Sequence, residues 1–303
     1  MRTFRLIGMA LIAMLMCVNF TACSSDDDEI KDDDGVITSE KKLVEMKETY
    51  KEDTNVMTFS YDSKGKLISV VEKDYSNESY ITNITWGENT VKEVYNNGDS
   101  FTYSLNDGLV RSCSEPEDRD YSFAYNSSKQ LTTYQSNNRY ESSTRTLTLT
   151  WDNGKVTKID YDGKEMSEIT YGNQTCKGFF PLMPLMVEDD FKLLLTHPEL
   201  IGMRVTQLPT QSYSKEVQKS EHYDDYFKET YKYENINEYT TKFTYKLTTD
   251  GYVESVTTED TNTRTNKYSY QDKNGDGKIS DDERNVTDTH TDTSTTTYTF
   301  KWE

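Results

Sequence analysis

The chain has 303 residues, 53 of them acidic and 34 basic, for a net charge of −19, and only 33% are hydrophobic. Binding a phosphate backbone takes clustered Lys and Arg, so this balance argues against nucleic acid as a partner, and an anionic membrane surface repels the chain as well. Three histidines, His197, His222 and His290, leave a multi-histidine metal centre little to draw on, and His222 reads as part of a solvated acidic stretch.

The first segment, residues 1–22, reads as a signal peptide: Arg2 and Arg5, then an apolar run from Leu6 to Val18. That run falls short of the roughly 18–20 residues that cross a bilayer, so the segment directs export and is removed. Phe20-Thr21-Ala22-Cys23 resembles a bacterial lipobox, which makes Cys23 the lipidated mature N-terminus. Loss of the two leader arginines takes the charge from −19 to −21, so anchoring falls to the acyl chains rather than to charge. Residues 23–37 follow as an acidic tether, with Asp26-Asp27-Asp28-Glu29 directly behind the cysteine. Such a block resembles the surface-export signal of Bacteroidetes lipoproteins, and it implies an outer-membrane lipoprotein facing the exterior.

From residue 38 to 303 the chain reads as one all-β domain. Alternating strands end in an aromatic residue, turn, and return, as in Phe59-Ser60-Tyr61 before Lys64-Gly65, or Leu149-Thr150-Trp151 before Asn153-Gly154. Period-two apolar spacing places one strand face on a core, and Asn-Gly and Asp-Gly mark hairpin turns. The aromatics Tyr61, Trp86, Tyr103, Tyr125, Trp151 and Tyr171 mark an internal repeat. No crossover helices intervene, which predicts a large antiparallel up-and-down meander forming a curved sheet or barrel. The low hydrophobic content suits a single curved sheet, or a barrel with a partly hydrated lumen. Charges close together in Thr241-Lys242-Phe243-Thr244-Tyr245-Lys246 disfavour a lipid-facing girdle, so the body is expected to be soluble and not membrane-spanning.

Residues 179–198 break the pattern, being the most apolar stretch after the leader. Pro184 and Pro198 bracket a short helix expected near residues 184–197, packed over a barrel end or along a sheet as part of the core. Two cysteines, Cys113 and Cys176, remain after export and lipidation and leave one disulfide open as an option.

The hairpin units, the proline-rich apolar segment and Leu200-Ile201-Gly202-Met203-Arg204-Val205-Thr206-Gln207-Leu208-Pro209 resemble a family of Bacteroidetes lipoproteins of unknown function described as having a porin-like fold, and the hairpins resemble YD-type repeats. The resemblance implies a large barrel-like sheet and carries over no activity.

Asp272 to Glu283 matches a twelve-residue EF-hand loop. Asp272, Asn274, Asp276 and Ser280 offer oxygens, Lys278 its carbonyl, Glu283 a bidentate carboxylate, and Gly277 the sharp turn. Its flanks read as strands, so Ca2+ here is expected to staple a turn. No phosphate loop or nucleophile elbow is present, and no catalytic residue stands out. The expected role is a non-catalytic ligand-binding or structural scaffold, with a glycan, a nutrient or an outer-membrane protein as partner. The alternative is a secreted carboxylate-dependent hydrolase acting on glycans.

Overall fold

The computed structural model describes residues 30–31, 37–38, 40–116, 118–163, 165–182, 191–204, 206–270, 280 and 284–303. At the expected boundary of tether and domain, β1 (Ile30–Lys31) and β2 (Ile37–Thr38) pair as a short antiparallel ladder. The rest is a closed antiparallel barrel of sixteen strands. In chain order these are β3 (Leu43–Tyr50), β4 (Asp53–Tyr61), β5 (Leu67–Lys73), β6 (Ser79–Trp86), β7 (Thr90–Tyr95), β8 (Ser100–Asn106), β9 (Leu109–Ser114) and β10 (Arg119–Tyr125). They continue as β11 (Leu131–Asn138), β12 (Ser143–Asp152), β13 (Lys155–Tyr161), β14 (Glu165–Thr175), β15 (Gln207–Asp224), β16 (Glu229–Leu247), β17 (Val253–Tyr270) and β18 (Arg284–Trp302). Each strand pairs with the next, and β18 closes the ring on β3 with Phe300 opposite Met46. Reciprocal backbone bonds between Lys42 and Glu303 tie the start and end of the barrel together at one end, here called the near end.

Alternation sorts the side chains between lumen and solvent. Met57 and Phe59 on β4, Leu147 and Leu149 on β12, and Tyr298 and Phe300 on β18 are buried inside, while Thr58, Ser60, Thr148, Thr150, Thr299 and Lys301 face out. A barrel in lipid needs the reverse, an apolar outer band. The outer wall is polar, in keeping with the charge spacing of Thr241 to Lys246.

Closure is built into one repeated irregularity. On β3, β5, β9, β11, β13, β15 and β17 an extra residue is inserted near the near-end rim, opposite the last residues of the neighbouring strand. Such bulges bend the strand and raise its twist, which curls a sheet into a barrel. The aromatic after the slip turns its polar tip back to the backbone. Tyr61 Oη donates to Leu43 O at 2.6 Å, Trp151 Nε1 to Leu131 O at 2.6 Å, and Trp302 Nε1 to Val253 O at 2.7 Å. Tyr125 and Tyr171 do the same to Val110 and Val156, and Trp86, at the end of β6 where no slip occurs, still donates to Leu67 O. Tyr103 does not belong to this collar, contrary to the expected repeat. Leu105 holds the equivalent place on β8, after the slip between Ser104 and Leu105, and Tyr103 is fully buried two residues earlier.

The chain between β14 and β15 turns inward and plugs the barrel. Phe179, Phe180, Leu182, Phe191, Leu193, Leu194, Leu195, Ile201 and Met203 are all buried in the same core as the strands. The helix expected near residues 184–197 is found as α1 (Lys192–Thr196); residues 183–190 lie outside the described residues. α1 ends at Thr196, ahead of Pro198 as expected, and Pro198 then opens a separate 3-10 turn, Pro198–Ile201, because proline suits a first helical position. Gly202 then closes that turn at φ 61°, with Lys129 O only 2.0 Å from where a Cβ would stand. The lumen, expected to be partly hydrated, is filled here with plug side chains. Phe191 sits edge-on to Phe101, Tyr103 and Tyr121 at 5.4, 5.6 and 5.0 Å between ring centroids.

Candidate functional site

At the far end the four long strands outrun the barrel. β14 pairs with β15 only as far as Lys215, and β3 with β18 only as far as Thr296. Beyond those points β15 to β18 stand as a four-stranded extension, roughly 30–40 Å tall at about 3.3 Å per residue. No Gly or Asn turn interrupts these strands, so the hairpins run on where the earlier ones reverse.

The two faces of the extension differ. On the face continuing the lumen wall, a chain of amides is bonded across strands: Arg264 Nε donates to Asn237 Oδ1, Asn237 Nδ2 to Asn235 Oδ1, and Asn235 Nδ2 to Asn266 Oδ1, which also accepts from Tyr233 Oη. Above it Tyr231, Tyr270 and Phe227 pack edge to face at 5.3 and 5.4 Å. These contacts stiffen an element that has no core of its own.

The opposite face, continuing the outer wall, holds a groove of about 490 Å³. Register brings Lys219, Glu234, Lys267 and Thr287 into one cross-strand row and Glu221, Lys232, Ser269 and Asn285 into the next. Glu234 is clasped by Lys219 at 2.7 Å and Lys267 at 2.8 Å, and Lys232 pairs with Glu221 at 3.1 Å. The hydrogen bonds from Lys219 and Lys267 hold the Glu234 carboxyl down to about 2, so it keeps its charge at neutral pH and cannot serve as a proton donor there. The row presents donors and acceptors in alternation.

The expected calcium loop lies in sequence between β17 and β18. Asp272, Asn274, Asp276, Lys278 and Glu283 lie outside the described residues, as does Cys23; Ser280 is described and exposed. Among the described residues no three His, Cys, Asp or Glu side chains converge on a metal site. His222 rests against Tyr231, 5.1 Å between centroids, on the exposed β15.

Cys113 and Cys176 are buried thiols, and the disulfide left open by the sequence is not formed. Cys113 faces the lumen from β9 and Cys176 begins the inward turn of the plug. Burial raises both, Cys113 strongly and Cys176 to about 12, which leaves them protonated and inert.

A buried carboxylate escaped the sequence reading altogether. Glu93 on β7 is completely enclosed; it accepts the Leu193 N–H of α1 at 2.5 Å and the Tyr95 hydroxyl at 3.2 Å. Desolvation pushes it up to about 7. Beside it Lys192 reaches Glu72 at 3.3 Å. The signal was available: Glu93 shares the inward parity of Val91, where an apolar residue is due. These polar contacts dock the plug, and enclosure keeps Glu93 from any substrate.

No family model matches the chain. No curated protein matches it either. Among solved structures it is similar to a porin-like protein from Bacteroides uniformis ATCC 8492, at 17% identity and a TM-score of 0.55, over 86% of this chain and 96% of that one. A porin-like protein from Bacteroides vulgatus ATCC 8482 aligns at 10% identity and a TM-score of 0.50, over 87% of this chain and 99% of that one. What the chain shares with them across nearly its whole barrel is the fold, and it is a porin-like antiparallel β-barrel of the kind these two Bacteroides proteins adopt.

Proposed function

We propose that the protein is a non-catalytic binding scaffold, held on the outer membrane by lipid on Cys23, displayed to the exterior, and presenting its ligand groove on the extension of β15 to β18. The observation that carries this reading is the position of the groove: it lies at the far end, whereas the chain from the tether enters at the near end, where Lys42 meets Glu303. With the lumen plugged, the outer groove is a concave surface open to solvent, and its mixed ion pairs, hydroxyls and amide suit a polar ligand such as a glycan. Ca2+ in the loop from Asp272 to Glu283 would staple the end of the groove. The hydrolase alternative gains no support from a groove carboxylate held ionised by two lysines.

The test is a screen of polysaccharides and peptides against the mature chain carrying Cys23→Ser, with calcium and with chelator. Lys267→Ala and Lys232→Ala should each weaken the selected ligand about tenfold, or about 1.4 kcal/mol, with the melting curve unchanged. Glu283→Gln should remove the calcium dependence. Binding that ignores all three substitutions would overturn the reading.

A further inference from the structure

The open edge of β15 carries an inference that does not depend on the ligand. Past Lys215 no strand among the described residues pairs with β15 on the side away from β16. The Lys232 N–H points toward β17, where it donates to Ser269 Oγ at 2.9 Å. Its cross-strand neighbour Glu221 therefore turns its own N–H and C=O to the open side, and by alternation so do Val217, Lys219 and Tyr223. An exposed edge with free backbone groups is a template for another strand. Its side chains decide which one.

On the outer face this edge reads Val217, Lys219, Glu221, Tyr223. It is its own complement when reversed about Ser220. Two antiparallel copies related by a two-fold axis at Ser220 place Lys219 against Glu221 of the second copy, and Val217 against Tyr223 of the second copy, twice over. Val217 and Tyr223 are 43% and 58% exposed, large apolar side chains left open to solvent on this face. The Lys219 and Glu221 side chains are 71% and 60% exposed despite their pairs within the chain. A shift of register by one step would set Lys219 against Lys219, or Glu221 against Glu221, so like charges penalise the neighbouring alignments. The barrels fall at opposite ends of the joined sheet.

We propose that β15 pairs with β15 of a second copy, from Val217 to Tyr223, to make a two-fold dimer with an eight-stranded sheet across the two extensions. Such an interface is isologous and closes on itself, so it yields dimers and not fibres. It also brings the two grooves, each bounded by Lys219 and Glu221, side by side on one continuous face.

In this register Ser220 meets Ser220 of the second copy at a non-hydrogen-bonded position, where Cα atoms lie about 4.5 Å apart, within disulfide reach. The experiment uses the mature chain with Cys23→Ser. Ser220→Cys should form a covalent dimer under mild oxidation, and Gln218→Cys, which would face His222, should not. By sedimentation the chain without added cysteines should dimerise as its concentration rises. Lys219→Pro should stay monomeric, with the melting curve of the parent at dilutions where the parent is itself monomeric, since the N–H it deletes points to the open side and not into the ladder with β16. A chain that is monomeric at every concentration, a Lys219→Pro dimer, or crosslinking no faster at position 220 than at 218 would each overturn the proposal.

Discussion

Glu93 shows how one side chain couples the plug to pH. Its ordinary value is 4.5, and burial raises it to about 7 in the folded barrel. Between those values the folded protein holds a proton that the unfolded chain has released, so stability is full below about pH 4.5 and is lost as pH rises toward 7. A shift of this size corresponds to about 3 kcal/mol at most. Glu48 and Asp260, both raised by burial, act in the same direction. Comparison with Glu93→Gln separates the contributions. Glutamine can still accept the Leu193 N–H but does not titrate, so this variant should lose less stability than the parent between pH 5 and 8 and should exceed it at pH 8. Parallel denaturation curves at both pH values would refute that assignment. Glu93 shows the limit of period-two reasoning: its parity with Val91 marks it as inward-facing, but only the plug, arriving from a hundred residues away in sequence, supplies the N–H that makes burial tolerable.

Among the elements, the hairpins were legible because their signals are local. Asn153-Gly154 and Asp107-Gly108 take the positive φ that tight turns demand, and they sit where the strands reverse. The collar was legible only in part. Aromatics at strand ends are visible, but the bulge that selects which residue reaches back to a carbonyl depends on pairing. Tyr103 was therefore assigned to a place that Leu105 fills. The Trp151 indole N–H satisfies Leu131 O at a rim where both are shielded. Trp151→Phe removes the donor and leaves the ring, at an expected cost of about 1 kcal/mol, while Thr150→Ala on the outer wall should cost much less. Equal melting temperatures for Trp151→Phe and the parent would remove the collar from the account of closure. The length of β15 to β18 and the groove between them escaped prediction because each lysine pair, such as Lys219 with Lys267 around Glu234, joins residues from three strands whose register no single strand pattern specifies.

For the molecule as a whole, the same alternation that closes a barrel with apolar residues inside makes it a filled body carrying its surface chemistry on one extended end. A sixteen-stranded ring could enclose a channel, and here α1 and its flanks occupy the lumen, with Phe191 at the meeting of β8, β10 and β11. All of this depends on the plug staying docked, which native-state hydrogen exchange measures residue by residue. The Leu194 and His197 amides, bonded to Phe191 and Leu193 within the plug, should exchange as slowly as those of β5 and β12, through global unfolding alone. The open-edge amides of Lys219 and Glu221 should exchange far faster at dilutions where the chain is monomeric. Fast exchange at Leu194 and His197, with the barrel strands still protected, would mean that the plug swings out and the lumen opens, and would contradict a scaffold that binds only from its extension.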